Sequence, residues 1–172
     1  VTTHTYDAVG HEIKTVDGKG NTTSNEYDGD NLVKTTDARG NVTSYEYDEF
    51  NRVVKTTLPN GKTETKEYDK NGNVTKTSDN GGKVTTHEYD AFSQEVSSTD
   101  PYGRVSSKTY DKYGRVVKEV SNTNEATDYE YDKYGNVVKT TNHLGSVTDS
   151  TYDLLNRKVS DSTDGKKTLI YS

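Results

Sequence analysis

Several residue types that staple or anchor ordinary proteins are missing from this sequence. The chain contains no cysteine, which excludes disulfide bonds and thiol chemistry. No apolar run approaches the roughly 18 residues of a membrane-spanning helix, so the sequence predicts no membrane insertion. Methionine is absent and the first residue is Val1, so we expect the chain to be an internal segment of a longer protein.

Apolar residues and basic clusters are also scarce. Hydrophobic residues make up 27% of the chain and the mean hydropathy is −1.10, values close to those of disordered proteins. The net charge of −6 argues against nucleic acid as a partner, because phosphate binding requires a clustered basic face. The 14 tyrosines and the mixed signs of charge favour a folded chain, so composition alone does not decide between the two states.

What the sequence has in abundance is repetition. A Tyr-Asp dipeptide recurs every 21 residues, with one interval of 20. Its tyrosines are Tyr6, Tyr27, Tyr47, Tyr68, Tyr89, Tyr110, Tyr131 and Tyr152. About eight units therefore fill residues 1–172, which predicts a single array without a separate second domain.

Each unit carries two turn signals of the form Asp-x-x-Gly. The aspartate accepts a local backbone N–H, and the glycine takes the left-handed conformation that starts a returning strand. At the second turn the glycine place holds Gly20, Gly40, Gly61, Gly82, Gly103, Asn124 and Gly145. At the first turn it holds Gly10, Asn31, Asn51, Gly72, Ser93, Gly114, Gly135 and Asn156. Asparagine tolerates positive φ, whereas Ser93 predicts a different turn type or local strain.

Short runs rich in Val, Thr and Tyr separate the turns. Each run has the length of a β-strand and is too short for a three-turn helix, so each unit is predicted to be one β-hairpin. The fold class is therefore all-β, a continuous antiparallel hairpin meander of about 16 strands. Because side chains alternate faces with period two, an odd repeat of 21 also requires unequal turns or one bulge per unit. The 20-residue unit, which lacks a residue between Asn31 and Leu32, requires a different correction.

The predicted packing is thin and depends on the tyrosine rows. Val53, Val116 and Val137 lie nearest the turn, opposite a repeat tyrosine. The next place is the most regularly apolar, with Ile13, Val33, Val54, Val96, Val117, Val138 and Val159. Turn aromatics are expected to join this packing at Phe50, Phe92, Tyr113 and Tyr134. We expect stability to come from curling and from repetition.

The motif resembles the YD repeat of RHS proteins. The stretches that carry the resemblance are "YDKYGRVVKE" at 110–119 and "YEYDKYGNVVKTT" at 129–141, and the match covers essentially the whole chain. The resemblance implies a secreted or surface polypeptide, as in bacterial polymorphic toxins, Tc toxin shells, Gram-positive wall-associated proteins and teneurins. It also implies that the meander curls into part of a spiral or shell, which in toxins encloses a C-terminal toxic domain.

No residue is predicted to be catalytic, to bind a cofactor or to hold a metal. The four histidines are not expected to converge on a metal or a triad. The glutamates before the repeat tyrosines are expected to pair with lysines across strands: Glu26, Glu46, Glu67, Glu88 and Glu130. Weak calcium binding at "DGDN", 28–31, stays an alternative. The additional Tyr45, Tyr102, Tyr113 and Tyr129 either pack against neighbouring hairpins or stack on sugars.

The sequence therefore predicts a structural role and no enzymatic activity. The chain is interpreted as a repeat segment of an extracellular or cell-surface protein, which builds a wall around or beside a domain elsewhere in the parent. The resemblance implies that this parent is bacterial. The roles of the eight repeat tyrosines and of the second-turn glycines are structural. The alternative is a surface adhesin or filament whose repeats bind glycan or associate through sheet edges. Expected partners are further repeats or a toxin or adhesive domain of the parent.

Overall fold

The computed structural model describes residues 1–170, and the side chains of residues 1–166. These residues form 17 β-strands and no helix, so no helix that could cross a membrane occurs among them. The strands are β1 Thr3–Tyr6, β2 Glu12–Val16, β3 Thr22–Asp28, β4 Asn31–Thr36, β5 Val42–Tyr47, β6 Val53–Thr57, β7 Thr63–Tyr68, β8 Val74–Ser78, β9 Val84–Tyr89, β10 Glu95–Thr99, β11 Val105–Tyr110, β12 Val116–Val120, β13 Ala126–Tyr131, β14 Val137–Asn142, β15 Val147–Tyr152, β16 Lys158–Thr163 and β17 Lys166–Ile170.

The chain divides into two compact units, Val1–Thr86 and His87–Ser172. In the first, β1 to β8 and the beginning of β9 follow one another as antiparallel neighbours. In the second, β10 to β17 do the same. The all-β antiparallel hairpin meander is thus confirmed, while the prediction of a single domain stays a prediction.

Most turns share one hydrogen-bonded loop of five residues. In the turn that begins at Asp48, the Asp48 N–H donates to the carbonyl of Arg52 at 3.0 Å and the Asn51 N–H donates to the carbonyl of Asp48 at 3.1 Å. The Asp48 carboxylate accepts the N–H groups of Phe50 and Arg52. This explains why aspartate opens most turns: its side chain satisfies backbone donors that the tight loop leaves without a strand partner.

The fourth residue of these loops has the predicted left-handed conformation. At the second turn φ is positive at Gly20, Gly40, Gly61, Gly82, Gly103, Asn124 and Gly145. At the first turn it is positive at Gly10, Asn51, Gly72, Ser93, Gly114, Gly135 and Asn156.

Ser93 occupies the same turn type as its equivalents. Its φ is +62°, and its N–H donates to the carbonyl of Asp90 at 3.1 Å, as in the other units. The predicted different turn type is therefore wrong, and the alternative of local strain is what the backbone shows. A left-handed conformation costs a residue with a Cβ about 1–2 kcal/mol.

The second unit turns in a different way, and the prediction for Asn31 is wrong. Asn31 begins β4 and pairs with Asp28, so only Gly29 and Asp30 lie in the loop. Gly29 takes positive φ (+58°) in place of Asn31. The missing residue leaves no room for the five-residue loop, and glycine at the first place of a two-residue loop suits a type II′ turn.

A bulge at seven of the repeat tyrosines corrects the odd repeat length. Glu46 pairs with Lys55 but Tyr47 pairs with Val53, so Val54 has no partner in the ladder. The same shift leaves out Ile13, Val33, Thr75, Val117, Val138 and Val159 in other units. The predicted bulge is confirmed, and the alternative of unequal turns is wrong because both turns have the same hydrogen bonds. The most regularly apolar place of the repeat is thus the bulge.

A seventeenth strand follows a turn that the repeat pattern missed. Asp164 and Gly165 have φ of 49° and 77°, as in a type I′ hairpin turn. The Asp164 carboxylate accepts the N–H of Val147 at 2.9 Å and the hydroxyl of Ser146 at 2.8 Å. The dipeptide Asp-Gly between strand-like residues is a recognised hairpin signal and was sufficient to find it.

The packed interior is as thin as the composition indicates. Among the described side chains only Ser150 is buried, and the apolar residues are half-buried or exposed. The turn aromatics do not join the packing as expected: Phe50, Phe92, Tyr113 and Tyr134 are 67%, 84%, 70% and 65% exposed. They lie at the third place of the turn, beyond the strand ends, where no neighbouring strand can cover them.

Candidate functional site: the seams between hairpins

The repeat tyrosines join each hairpin to the one before it. The Tyr68 hydroxyl, at the end of β7, donates to the carbonyl of Val53 in β6 at 3.0 Å. Val53 is the residue paired with the preceding repeat tyrosine, Tyr47, beside the bulge. The bulge interrupts the ladder at this point, which leaves the carbonyl available to a phenol. We call this contact, with the side chains around it, a seam.

The same bond recurs at other seams. In each case the acceptor lies 15 residues before the tyrosine. The bonds join Tyr27 to Glu12 at 3.4 Å, Tyr47 to Leu32 at 2.8 Å, Tyr110 to Glu95 at 2.8 Å, Tyr131 to Val116 at 2.7 Å, and Tyr152 to Val137 at 2.9 Å. Tyr6 has no residue 15 places earlier in this sequence, and it is 55% exposed. The tyrosines thus act between hairpins, a role that the period alone did not reveal.

Two seams also contain an arginine clamp. The Arg52 guanidinium binds Asp48 in its own turn at 2.6 Å and donates to the carbonyl of Asp69 in the next first turn at 3.1 Å. It lies over the ring of Tyr68, 4.4 Å from the centroid, and over Phe50 at 5.1 Å. Such cation–π contacts contribute about 0.5–1 kcal/mol when exposed and more when desolvated.

The second arginine clamp repeats this geometry in the compact unit His87–Ser172. Arg115 binds Asp111 at 2.6 Å, donates to the carbonyl of Asp132 at 3.3 Å and lies 4.4 Å from the ring centroid of Tyr131. It also lies 5.1 Å from the ring of Tyr113. A planar guanidinium suits both tasks, because it donates in its plane while its face stacks on the aromatic ring.

Arg52 and Arg115 are each the fifth residue of a first turn, a position that we call the clamp place. Other residues occupy the clamp place in the remaining seams. His11 stacks on Tyr27, with ring centroids 4.5 Å apart and an interplanar angle of 16°. Asn136 donates to Asp132 at 2.9 Å and to the side chain of Asn156 at 3.1 Å. The clamp place is therefore always polar, but its contact with the next hairpin varies.

Hydrogen bonds keep the turn aspartates ionised. The Arg52 side chain is the largest cause that lowers the pKa of Asp48, against an opposing effect of burial. The Asn136 amide is likewise the largest cause that lowers the pKa of Asp132. These carboxylates serve as acceptors for backbone and clamp donors, which is a structural use of an acid and not the unequal pair that acid–base chemistry requires.

Four of the five predicted Glu–Lys pairs are present on the exposed surface. The prediction for Glu88 is wrong, because the place nine residues later holds Ser97 instead of lysine. Lysine Nζ lies 2.7 Å from Glu26 (Lys34), 2.7 Å from Glu46 (Lys55), 2.8 Å from Glu67 (Lys76) and 3.1 Å from Glu130 (Lys139). These glutamates are more than half exposed, so each pair contributes at most about 1 kcal/mol.

The four histidines each lie beside a carboxylate. His4 and His87 share a repeat place and contact Glu12 and Glu95, both at 2.8 Å. His143 lies 4.0 Å from Glu125. Sequence reasoning missed this pairing, although His4 and His87 both stand two residues before a repeat tyrosine.

The described residues contain no group of three or more His, Cys, Asp and Glu side chains that could hold a metal ion. In the proposed calcium stretch 28–31, the Asp30 carboxylate is 99% exposed and lies 3.3 Å from His11 Nε2. Calcium binding there stays a prediction that only a binding measurement can test.

The additional tyrosines divide into packed and exposed ones. The Tyr129 hydroxyl donates to Glu119 at 2.5 Å, and this hydrogen bond, with burial, raises the pKa of Tyr129 to about 12. Tyr102 and Tyr113 are 71% and 70% exposed, so the expected packing against neighbouring hairpins is wrong for these two.

Recurring hairpins, shared turns and repeated seams define a β-hairpin repeat protein. The RHS Repeat family model matches residues 27–63 and 68–105. These two stretches therefore match the RHS repeat, which confirms the resemblance drawn from the Tyr-Asp motif.

The fold of this chain is similar to those in the crystal structures of TcdB2-TccC3-Cdc42, with a TM-score of 0.59, and of TcdB2-TccC3, with a TM-score of 0.58. Each match has 17% identity and covers 93% of this chain but 9% of the other, so this chain spans about a tenth of the length of those chains. No curated protein sequence matches the chain significantly.

Proposed function

We propose that this chain is a wall-building segment of an extracellular RHS protein. In this role the hairpins tile side by side into part of a shell or spiral, which encloses or displays a domain elsewhere in the parent chain. The segment acts as structure and catalyses no reaction. Its partners are further repeats and the enclosed or displayed domain, and the parent is secreted or held at the bacterial surface.

The tyrosine seam carries this proposal. The same phenol-to-carbonyl bond joins one hairpin to the next at several positions of the array, with distances of 2.7–3.4 Å. The clamp varies but this bond recurs, and a recurring contact is suited to extending a wall, because each hairpin offers its successor the same carbonyl acceptor. The fold likeness to the TcdB2-TccC3 structures, over 93% of this chain, supports the same role.

Limited proteolysis of the full-length parent tests the role in enclosure. Gly61→Val and Gly103→Val together place β-branched side chains at φ of +77°, which weakens two hairpins of the array. Phe92→Ser, at a side chain 84% exposed, serves as the control. We expect the domain outside the array to resist protease in the wild type and the control, and to be cleaved faster in the glycine variant. Equal cleavage of that domain in all three proteins contradicts enclosure.

The exposed tyrosines favour a second candidate, a surface adhesin that binds glycan. Tyr102 and Tyr113 present most of their surface to solvent, with the Arg104 guanidinium 5.5 Å from the Tyr102 ring and Lys112 Nζ 4.9 Å from the Tyr113 ring. A glycan array compares the wild type with Tyr102→Ser/Tyr113→Ser. Binding that the double variant loses supports the adhesin, and an array without signal removes it.

A further inference from the structure

His11 is the one clamp residue with an imidazole ring. The fifth residue of the first turn is His11, Arg52, Asn73, Gln94, Arg115, Asn136 or Arg157 in the seven units with a five-residue loop. Arginine stays charged and the amides stay neutral, whereas an imidazole gains or loses its proton between about pH 5 and pH 8. The seam at His11 therefore differs in kind from the others.

The His11 ring lies between two carboxylates from different hairpins. Nδ1 is 3.0 Å from Asp7 in its own turn, and Nε2 is 3.3 Å from Asp30 in the loop between β3 and β4. The ring face stacks on Tyr27, whose hydroxyl donates to the carbonyl of Glu12. The groups that face His11 are thus Asp7 from the first hairpin, and Asp30 and Tyr27 from the second.

Only the protonated ring can bind both carboxylates. A neutral imidazole has one N–H, so its second nitrogen turns a lone pair toward the other carboxylate. The imidazolium donates from both nitrogens, and its charge is also attracted to the face of Tyr27. Burial acts to raise the pKa of Asp7, but the N–H groups of His11 and Val9 and the His11 ring outweigh it, so the pKa of Asp7 is lowered and the acceptor stays ionised.

We propose that protonation of His11 tightens the seam between the first and second hairpins, so that this seam is stronger in mildly acidic solution than above neutral pH. The hairpins concerned are β1–β2 and β3–β4. At the equivalent seams a permanent charge on Arg52 or Arg115 makes the corresponding contacts. The strength of these two seams therefore stays the same at either pH. A pH-sensitive seam lets the array respond to its surroundings, which goes beyond the role in wall building.

Amide hydrogen exchange of the whole chain at pH 5.5 and pH 8, corrected for intrinsic rates, tests the proposal. Asp30 is exposed, so the effect is that of a largely hydrated ion pair. We expect protection of the β2 and β3 amides to be about two- to fivefold higher at pH 5.5, while protection in β6 and β7 changes little.

The repeat itself supplies the matched variants. His11→Arg should give high protection at both pH values, and His11→Asn low protection at both. Asp30→Asn should remove most of the pH difference and leave the fold intact. His4→Gln controls for the neighbouring His4–Glu12 pair, which lies within the first hairpin. If His11→Asn keeps the pH difference and His4→Gln loses it, or if the wild type shows no difference, the proposal is wrong.

Discussion

The seam of Arg52 and the seam of Asn136 share the tyrosine bond and differ at the clamp place. At both, a repeat tyrosine donates to a carbonyl of the preceding strand, at 3.0 Å for Tyr68 and 2.9 Å for Tyr152. Arg52 adds a bond to the next turn and a stacked face, whereas Asn136 adds one amide bond to Asn156. The tyrosine bond is thus the constant part of a seam, and the clamp sets its strength.

Removal of the whole tyrosine ring should give the largest difference in lost stability between the two seams. Tyr68→Ala removes the hydrogen bond, the half-buried ring and the surface on which Arg52 stacks, and we expect local stability to fall by about 3 kcal/mol. Tyr152→Ala, without an arginine clamp, should cost about 2 kcal/mol. Hydrogen exchange of the flanking strands measures both, and equal losses would show that the clamp contributes nothing.

An exchange of the clamp residues should transfer the difference in local stability from one seam to the other. Arg52→Asn loses the bond to the carbonyl of Asp69 and the contact with Tyr68, and we expect a loss of about 1.5 kcal/mol. Asn136→Arg should gain about 0.5 kcal/mol, since Asp132 and Tyr152 are placed as Asp48 and Tyr68 are in the first case. Urea unfolding with local probes measures these effects. A destabilising Asn136→Arg would mean that the second seam lacks room for the guanidinium.

Loss of the hydroxyl alone should affect the two seams equally. Tyr68→Phe and Tyr152→Phe each leave a carbonyl without its phenol donor, and we expect each to cost about 1 kcal/mol. The measurement is again hydrogen exchange, with Phe92→Leu, at a side chain 84% exposed, as a surface control. A much larger effect at one seam would contradict the view that the tyrosine bond is the constant part.

Acid should weaken both seams gradually, and its effect on stability should be smaller than that of any substitution above. The pKa values of Asp48 and Asp132 are lowered in the folded chain, so the unfolded chain binds protons more readily as the pH falls. Their contribution to stability is complete above the ordinary aspartate pKa and is lost as the pH falls through the lowered values. Asp48→Asn and Asp132→Asn should each flatten the decline measured by circular dichroism below about pH 4. An unchanged decline in both variants would assign it to other turn aspartates.

The sequence contains the information for the backbone more completely than for the seams. Asp-x-x-Gly predicts the turn and its positive φ because both depend on neighbouring residues, and the odd period requires a bulge through simple alternation. Asn31 was predicted wrongly because a missing residue moves the left-handed place to Gly29. The bond from Tyr68 to Val53 was not predicted, since it depends on strand register across 15 residues and on a carbonyl that only the bulge releases.

The short second unit shows how such an array can change length without harm. Its hairpin has lost one residue, yet Lys34 faces Ser44 across the next strand pair as Lys55 faces Thr65 in a full unit. The deletion falls at the tip, so the alternation of side chains in every later strand is untouched. Insertions and deletions at the corners should therefore be tolerated during evolution, whereas a single residue added within a strand would turn every following side chain to the opposite face.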